Sequence, residues 1–251
     1  MITIKSAREA EKMRVAGRMV GRAQEEVAKA IRPGVTTAEL EEVAERAILA
    51  LGGKMAFLGY RGFPGKICVS VNEEVVHGIP GSRVLREGDL VGVDIGAIHQ
   101  NYYGDGARTY PVGKVTGDSQ RLIEACREAL AIAIEKVRPG ERLSEISRAI
   151  QGHVEEKGFT VVEQYVGHGI GRQLHESPQV PNYVSGNGSG PDYILKPGMA
   201  LAIEPMVNAG TKDVRTLEDG WTVVTSDGGW SAHFEDTVLV TEGGHEVLTV
   251  P

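Results

Sequence analysis

Five potential metal ligands lie inside strand-like or glycine-rich segments, where a charged or polar side chain has little reason to lie. They are Asp94, Asp105, His168, Glu204 and Glu235. Two divalent cations would balance the four carboxylates, whereas one cation would leave two charges uncompensated in a buried site. Carboxylates with a single imidazole and no thiolate favour Co²⁺, Mn²⁺, Fe²⁺ or Zn²⁺ over a structural zinc site. The set therefore predicts a hydrolase that uses two metal ions.

The spacing of Asp94 and Asp105 predicts a β-hairpin. The two residues are 11 positions apart, so a turn centred on His99 and Gln100 would place them directly opposite each other. Their Cβ atoms would then lie roughly 4.5–5.5 Å apart on one face of the sheet. Two like charges at that separation repel, and burial raises the pKa of one of them unless a cation neutralises both.

The other three ligands also carry local signals. Glu204 precedes Pro205, which ends or edges a strand because proline cannot donate to the ladder. Glu235 begins a strand whose two-residue periodicity places His233 on the same face. His168 stands between two glycines, which allow the backbone to approach a ligand closely. Each residue alone is better explained as a capping acid or a core histidine, so it is the set that favours metal binding.

A faint internal repeat divides the chain into halves of about residues 1–115 and 116–251. Three matches recur in the same order: an Arg-Pro-Gly turn before a helical pattern (32–34 and 138–140), a His-Gly-Ile triplet (77–79 and 168–170) and an apolar segment (85–94 and 195–204). On this alignment Asp94 and Glu204 are equivalent. The distance from histidine to acid grows from 17 to 36 residues, so we expect about 19 extra residues in the second half. Residues 178–191, with the glycine-serine run 185–190, would supply them as a surface loop.

Periodicity and stop signals predict the secondary structure. Helices are expected at residues 6–30, 36–51, 117–137 and 143–157. Strands are expected at residues 67–71, 90–95, 160–166, 200–203, 221–225 and 235–240. Two helices followed by a run of strands, repeated once, indicate an α+β fold with antiparallel sheet.

Composition limits the classes of function. The formal net charge of −7 argues against a broad nucleic-acid surface, which needs clustered Lys and Arg. Residues 1–13 are charged throughout and resemble neither a signal peptide nor a membrane span, so we expect a soluble cytoplasmic protein. Cys68 and Cys126 stand in apolar segments and are expected to be reduced, buried thiols.

Several motifs together resemble the type I methionine aminopeptidase family, over essentially the whole chain. They occupy residues 76–80, 93–96, 104–109, 167–172, 175–178, 203–206 and 235–237. The resemblance implies the pita-bread fold, in which two pseudo-symmetric halves form one catalytic domain over residues 1–251, with the sheets inside, the helices outside and the metals between the halves. It also implies removal of an N-terminal methionine from nascent proteins and peptides when the second residue is small.

The same resemblance implies individual roles. Asp94 would bind one metal and His168 the other, Asp105 and Glu235 would bridge them, and Glu204 would complete the His168 side. Glu204 would also act as general base. His175 would stabilise the oxyanion and His77 would contact the substrate backbone, although a histidine before glycine is ordinarily a packed core residue. The remaining histidines match no motif and are expected at turns and surfaces; they are His99, His153, His233 and His245.

The methionine pocket of the family corresponds to six apolar or aromatic positions. They are Phe57, Tyr60, Phe63, Cys68, Leu174 and Trp221. Three of them depart from the commonest family pattern: Phe57 replaces a frequent Cys, Phe63 a frequent Tyr and Leu174 a frequent Phe. All remain apolar, so selectivity for a flexible thioether is expected to persist.

Two alternatives remain open. Proline-specific dipeptidases of the same fold share the five ligands but usually carry a large N-terminal domain, and non-catalytic pita-bread modules bind peptides but typically lose several ligands. The family also implies action on nascent chains, with docking at the ribosome left open, and a monomer. No nucleic-acid or membrane partner is expected.

Overall fold

The computed structural model describes residues 2–184 and 192–251, and this part of the chain contains four helices and fifteen strands. The helices are α1 (Ala7–Ala30), α2 (Thr37–Ala50), α3 (Gly117–Ile134) and α4 (Leu143–Glu156). The strands are β1 (Lys54–Met55), β2 (Cys68–Val71), β3 (Glu74–Val76), β4 (Leu90–His99), β5 (Tyr102–Pro111), β6 (Thr160–Val161), β7 (Gly167–Gly169), β8 (Glu176–Val180), β9 (Ala200–Ile203), β10 (Met206–Asn208), β11 (Val214–Thr216), β12 (Val223–Thr225), β13 (Ser231–His233), β14 (Asp236–Thr241) and β15 (Gly244–Val247).

The four predicted helices are confirmed, and local capping explains where they begin. Ser6 and Thr36 each start a helix with a reciprocal capping box, in which the hydroxyl and the glutamate three residues later satisfy two free backbone donors. The predicted end of the third helix at residue 137 is wrong by three residues. The amides of Lys136 and Val137 bond to carbonyls only three residues back, so the chain tightens into a turn after Ile134.

Antiparallel pairing joins the strands into four sheets. Their orders are β1-β4-β2 with β5 also on β4, β13-β10-β6, β11-β12-β3, and β15-β14-β9-β7-β8. One apolar core lies between α1, α2 and the β4 sheet, and another between α3, α4 and strands β9 and β14. The predicted α+β architecture with helices packed against antiparallel sheets is therefore confirmed. The strand predicted at 160–166 is too long, because only Thr160–Val161 pairs, against β10.

The hairpin of β4 and β5 exists, but its predicted register is wrong by two residues. Asp94 lies opposite Ala107, and Asp105 lies opposite Gly96. The turn is a two-residue one at Gln100 and Asn101, which both have positive φ, at 47° and 63°. That geometry is typical of a type I′ turn. Since a shift of two residues keeps each side chain on its face, the two aspartates still share one face, as diagonal neighbours.

The repeat has a structural counterpart in the backbone. The amide of Gly34 donates to Leu85 over 2.8 Å, and 106 to 110 residues later the amide of Gly140 donates to Leu195 over 2.9 Å. Asp94 lies opposite Cys68 in β2 and Glu204 directly follows β9, which pairs with β7. The equivalence of Asp94 and Glu204 thus fits the sheet pairing.

The His-Gly-Ile triplets, in contrast, are not equivalent. His168 lies opposite Ala202, two residues before Glu204, and the residue opposite Gly92, two before Asp94, is Ser70. His168 therefore corresponds to Ser70 and not to His77. Ser70 precedes Asp94 by 24 residues, whereas His168 precedes Glu204 by 36. The second half therefore has an insertion of 12 residues at this point, and not the predicted 19 or so.

A seam of hydrogen bonds joins β5 to the segment that includes β13 and β14. Ala107 and Glu235 exchange backbone hydrogen bonds of 3.2 and 2.9 Å. On one side of this pair, the Thr109 hydroxyl donates to the His233 carbonyl and accepts from its amide, both at 2.9 Å. On the other side, the Thr237 hydroxyl makes the same two bonds to Asp105, at 2.8 and 3.0 Å. The seam fixes the backbone on which Asp105 and Glu235 stand.

Three remaining sequence expectations concern the cysteines, the glycine-serine run and membrane spans. Cys68 and Cys126 are both free and buried, as predicted. The run at 185–190 lies outside the described residues, so the loop expected there stays a prediction. Within the described ranges, no helix has both the length and the apolar character needed to cross a bilayer.

Candidate active site

All five predicted metal ligands line one cavity that opens to solvent. Asp94 projects from β4 and Asp105 from β5, whereas His168 lies on β7. Glu204 and Glu235 occupy the positions directly after β9 and directly before β14. Strands from both regions thus bring together residues that are up to 141 positions apart in sequence.

The centre of the cavity is compact enough to hold a metal ion. Single ligand atoms of Asp105, His168 and Glu235 all lie within 4.8 Å of one another. The Nε2 atom of His168 lies 3.5 Å from Glu204 Oε1 and 4.0 Å from Asp105 Oδ2. Asp94, the diagonal neighbour of Asp105 on the sheet, lines the same cavity. The arrangement concentrates oxygen donors around one imidazole nitrogen.

The electrostatics of this cluster call for cations. Burial raises the pKa of Asp94 to about 7, and burial together with Glu235 and Asp94 raises the pKa of Asp105. The pKa of Glu235 is raised by burial and by Glu204, and that of Glu204 by burial and by Asp105. Asp94 Oδ1, Asp105 Oδ1 and Glu235 Oε1 are buried without a hydrogen-bond partner. Buried oxygens of this kind are costly unless a cation coordinates them, so the residues present fit divalent metal ions.

His168 is held in a state suited to coordination. Its Nδ1 lies 2.9 Å from the Gly169 carbonyl, which leaves Nε2 facing the carboxylates. Burial lowers its pKa to about 4, so the ring is neutral near pH 7, as a ligand must be. The expected reason for the flanking glycines is wrong. A Cβ on Gly167 would collide with Ala202 in β9, and one on Gly169 with Ser177 in β8, so the glycines admit the neighbouring strands.

His175 and His77, the two histidines expected to contact substrate, also line the cavity. His175 lies at its mouth, with its ring centroid 4.1 Å from that of His168. Its Nδ1 is 2.9 Å from the Tyr60 hydroxyl. The pKa of His175 is lowered to about 3 by desolvation and by His168, so the ring is neutral near pH 7, and the tautomer that accepts from Tyr60 at Nδ1 has Nε2 as its donor. His77 packs edge-on against Tyr165, and burial lowers its pKa to about 4.

The predicted methionine pocket forms the apolar end of the cavity. All six predicted residues line it: Phe57, Tyr60, Phe63, Cys68, Leu174 and Trp221. Phe63 and Trp221 meet edge to face with centroids 5.2 Å apart. Phe57 fits because Gly96 lies beside it, and a Cβ on Gly96 would come within 2.5 Å of the Phe57 ring. Burial raises the pKa of Cys68, so this wall carries a neutral thiol.

Sequence reasoning missed three side chains at the site. His233 was expected at a turn or surface, but it is buried and its Nε2 lies 3.8 Å from Glu204 Oε2. Its two-residue spacing from Glu235 was the available signal. Arg61 lines the mouth of the cavity, and no motif singled it out. Arg108 donates to the Glu235 carbonyl at 2.5 Å and pairs with Asp236 at 2.6 Å, which anchors the Glu235 backbone.

This geometry is that of a metallopeptidase site, and the chain belongs to metallopeptidase family M24, which it matches over residues 11–242. It is 55% identical to methionine aminopeptidase 1 of Bacillus subtilis, over 99% of each chain. The crystal structure of methionine aminopeptidase from Thermotoga maritima superimposes with a TM-score of 0.97 at 49% identity and covers 100% of both chains. The pita-bread fold is therefore confirmed.

A dipeptidase of the same fold is more distant. The Xaa-Pro dipeptidase of Bacillus anthracis matches 98% of this chain at 25% identity and a TM-score of 0.78, but only 61% of the dipeptidase is covered. The extra length in that relative agrees with the larger architecture expected of proline-specific dipeptidases. The comparisons thus favour the aminopeptidase interpretation over the dipeptidase one.

Proposed function

We propose that the protein is a metal-dependent aminopeptidase that removes the N-terminal methionine from peptides and nascent proteins when the second residue is small. The observation that carries the proposal is a single cavity in which an apolar end adjoins four buried or half-buried carboxylates and His168. The apolar end suits one thioether side chain, and the carboxylate cluster suits metal-dependent hydrolysis. The high similarity to methionine aminopeptidases supports this assignment.

The metal set follows from the donors. Asp94, Asp105, His168, Glu204 and Glu235 would hold two divalent ions, with Co²⁺, Mn²⁺, Fe²⁺ and Zn²⁺ all compatible with these ligands. When bound, the ions would lower the pKa of a water molecule and polarise the substrate carbonyl.

Glu204 is the proposed general base. Its carboxylate lies between two neutral imidazoles, His168 at 3.5 Å and His233 at 3.8 Å. Its side chain is 15% exposed, compared with 6% for Asp105, so a water molecule at the cavity can reach it. Burial and the neighbouring aspartates raise the pKa of Glu204, which increases its affinity for a proton.

His175 is the proposed oxyanion donor. When the Tyr60 hydroxyl donates to Nδ1, the proton of the neutral ring lies on Nε2, where it can donate to an oxygen that becomes negative during attack. The stacking of Tyr60 on His175, with centroids 5.4 Å apart, keeps the ring in this orientation. His77, deeper in the cavity, would bind the substrate backbone.

The decisive experiment is an assay of the metal-loaded protein with Met-Ala-Ser, Met-Lys-Ser and Leu-Ala-Ser. We expect metal-dependent release of free methionine from Met-Ala-Ser. Release of the first residue, methionine from Met-Lys-Ser or leucine from Leu-Ala-Ser, should be much slower. An Ala-Pro dipeptide tests the dipeptidase alternative, and cleavage of that substrate alone would overturn the proposal. Binding of Met-Ala-Ser without turnover at any metal would support the non-catalytic alternative instead.

The proposed activity also bears on partners and location. A substrate that is the N-terminus of a nascent protein implies a cytoplasmic enzyme that meets its substrates as they leave the ribosome. A monomer is proposed, because the described cavity is complete within one chain.

A further inference from the structure

Arg61 occupies an unusual place at the mouth of the cavity. Among the described residues that line it, Arg61 is the one side chain with a permanent positive charge. Within residues 2–184 and 192–251 no carboxylate lies within 4.0 Å of its guanidinium nitrogens. In contrast, Arg172, near the same mouth, donates to Glu9 over 3.1 Å. The Arg61 charge is therefore available to a ligand.

The backbone holds Arg61 in a conformation that residues with a Cβ rarely adopt. Its φ of 50° and ψ of 21° are left-handed, within the three-residue turn Tyr60–Gly62. Hydrogen bonds close this turn on both sides, from Tyr60 to Phe57 and from Phe63 to Tyr60, each at 2.9 Å. Strain of this kind persists where the surrounding structure enforces it and is concentrated at functional sites.

The position of Arg61 relative to His175 indicates which part of a peptide it would meet. The guanidinium carbon lies 5.4 Å from the centroid of the Tyr60 ring, and that ring lies 5.4 Å from the His175 ring. His175 is the proposed contact of the scissile carbonyl. The Arg61 guanidinium therefore lies no further from the His175 ring than the sum of these two distances. The first and third residues of an extended peptide are roughly 7 Å apart. A carboxylate on the third residue can therefore reach the guanidinium.

We propose that Arg61 selects among substrates by their third residue and favours an acidic side chain there. The inference rests on the proposed aminopeptidase function and specifies its substrate class. The second residue of the substrate is selected by its size. The third residue lies at the open mouth, where its charge determines how well the peptide binds. Because the contact forms in the bound substrate and lies away from the reacting atoms, it acts mainly on KM and leaves kcat nearly unchanged.

The test compares two amidated peptides, Met-Ala-Asp-Leu and Met-Ala-Lys-Leu, whose blocked C-termini remove the terminal carboxylate. At 50 mM salt the wild-type kcat/KM is expected to favour the aspartate peptide about threefold to tenfold, as an exposed ion pair allows. The ratio should fall towards one in Arg61→Gln and at 500 mM salt, because screening weakens exposed pairs. Arg61→Lys should keep part of the preference for the aspartate peptide, because it keeps the positive charge.

Arg127→Gln is the matched control, since it removes one positive charge from an exposed position on α3, and it should keep the full ratio. A wild-type ratio of one, an aspartate preference that survives in Arg61→Gln, or an equal loss on both peptides in that variant would each overturn the inference. If wild-type protein releases methionine from neither peptide, the proposed function fails and the inference with it. Equal release from both overturns the inference alone.

Discussion

The two strand regions that form the site, β2–β4–β5 and β7–β9–β14, have the same backbone arrangement and present different side chains. Asp94 and Glu204 occupy equivalent positions, but Ser70 stands where the second region has His168. Across the seam, the Thr109 and Thr237 hydroxyls make the same pair of bonds, which makes Asp105 the counterpart of His233. Ala107 is likewise the counterpart of Glu235, and these two residues pair with each other.

The difference concerns charge. At its ligand positions the first region carries carboxylates alone, those of Asp94 and Asp105. The second contributes two carboxylates together with two neutral imidazoles, both near Glu204. We infer that the aspartates of the first region depend on bound cations, whereas Glu204 also has an imidazole nitrogen within 4 Å of each of its oxygens. The same backbone arrangement thus serves two roles. We call the first region, with Asp94 and Asp105, the anionic side, and the second region, with Glu204, the proton-handling side.

The largest expected effect comes from the anionic side. Asp105→Asn keeps the shape of the side chain and removes one charge from the centre of the cluster. We expect turnover of Met-Ala-Ser to fall by more than the roughly 10- to 100-fold typical of outer-shell partners, with a lower metal content measured by mass spectrometry. Asp118→Asn, exposed at the start of α3, is the control. Wild-type turnover in Asp105→Asn would refute the assignment of the site.

A substitution on the opposite side should act differently. His233→Ala removes the imidazole that lies 3.8 Å from Glu204 but no carboxylate. We expect kcat to fall about 10- to 100-fold while the metal content stays at the wild-type level. Equal loss of metal in His233→Ala and Asp105→Asn would erase the proposed distinction between the two sides.

The seam offers a matched pair of variants. Thr109→Val and Thr237→Val each delete one hydroxyl that bonds a buried amide and carbonyl, so each should lower the free energy of unfolding by about 1–3 kcal/mol. Denaturant unfolding measures this loss. Thr237 holds Asp105, so only Thr237→Val should also lower metal affinity. Equal metal affinity in the two variants would contradict the link between the seam and the anionic side.

The smallest effect is a pH dependence of metal stabilisation. The pKa of Asp94 is raised from 3.8 to about 7, so without metal its contribution to stability is lost as pH rises from about 4 to 7. His168, with a pKa of about 4, is already neutral at pH 5. The increase in Tm on adding metal should therefore be greater at pH 8 than at pH 5, by at least about 2–4 °C. A larger increase at pH 5 would contradict the carboxylate origin of the dependence.

The helices and the central hairpin could be predicted because their signals are local. Ser6 with Glu9 and Thr36 with Glu39 start helices through contacts three residues apart. The hairpin register could not be read from the spacing of two acids, because the turn at Gln100 and Asn101 fixes it and this pair is not the usual Asn-Gly. Because the error is two residues, Asp94 and Asp105 still lie on the same face of the hairpin, and they still line one cavity.

Errors at the site have a different origin. The repeated His-Gly-Ile triplet suggested an equivalence that strand pairing does not support, since His168 corresponds to Ser70. His233 was overlooked because its role depends on Glu204, which is 29 residues away and is brought beside it only by the sheet. Arg61 gave no periodic or motif signal, because its significance lies in a backbone conformation and in having no carboxylate within 4.0 Å in the described part of the chain. Such features arise from tertiary contacts.

The seam between Thr109 and Thr237 also determines how the site can move. Opening it would break two backbone hydrogen bonds and four hydroxyl bonds together. Segments with buried, mutually supporting hydrogen bonds open only with free energies near that of global unfolding. The amide hydrogens of Ala107 and Glu235 should therefore be among the slowest to exchange with solvent deuterium. Peptides would enter and leave past side chains at the mouth, without hinge motion of the sheets that carry the ligands.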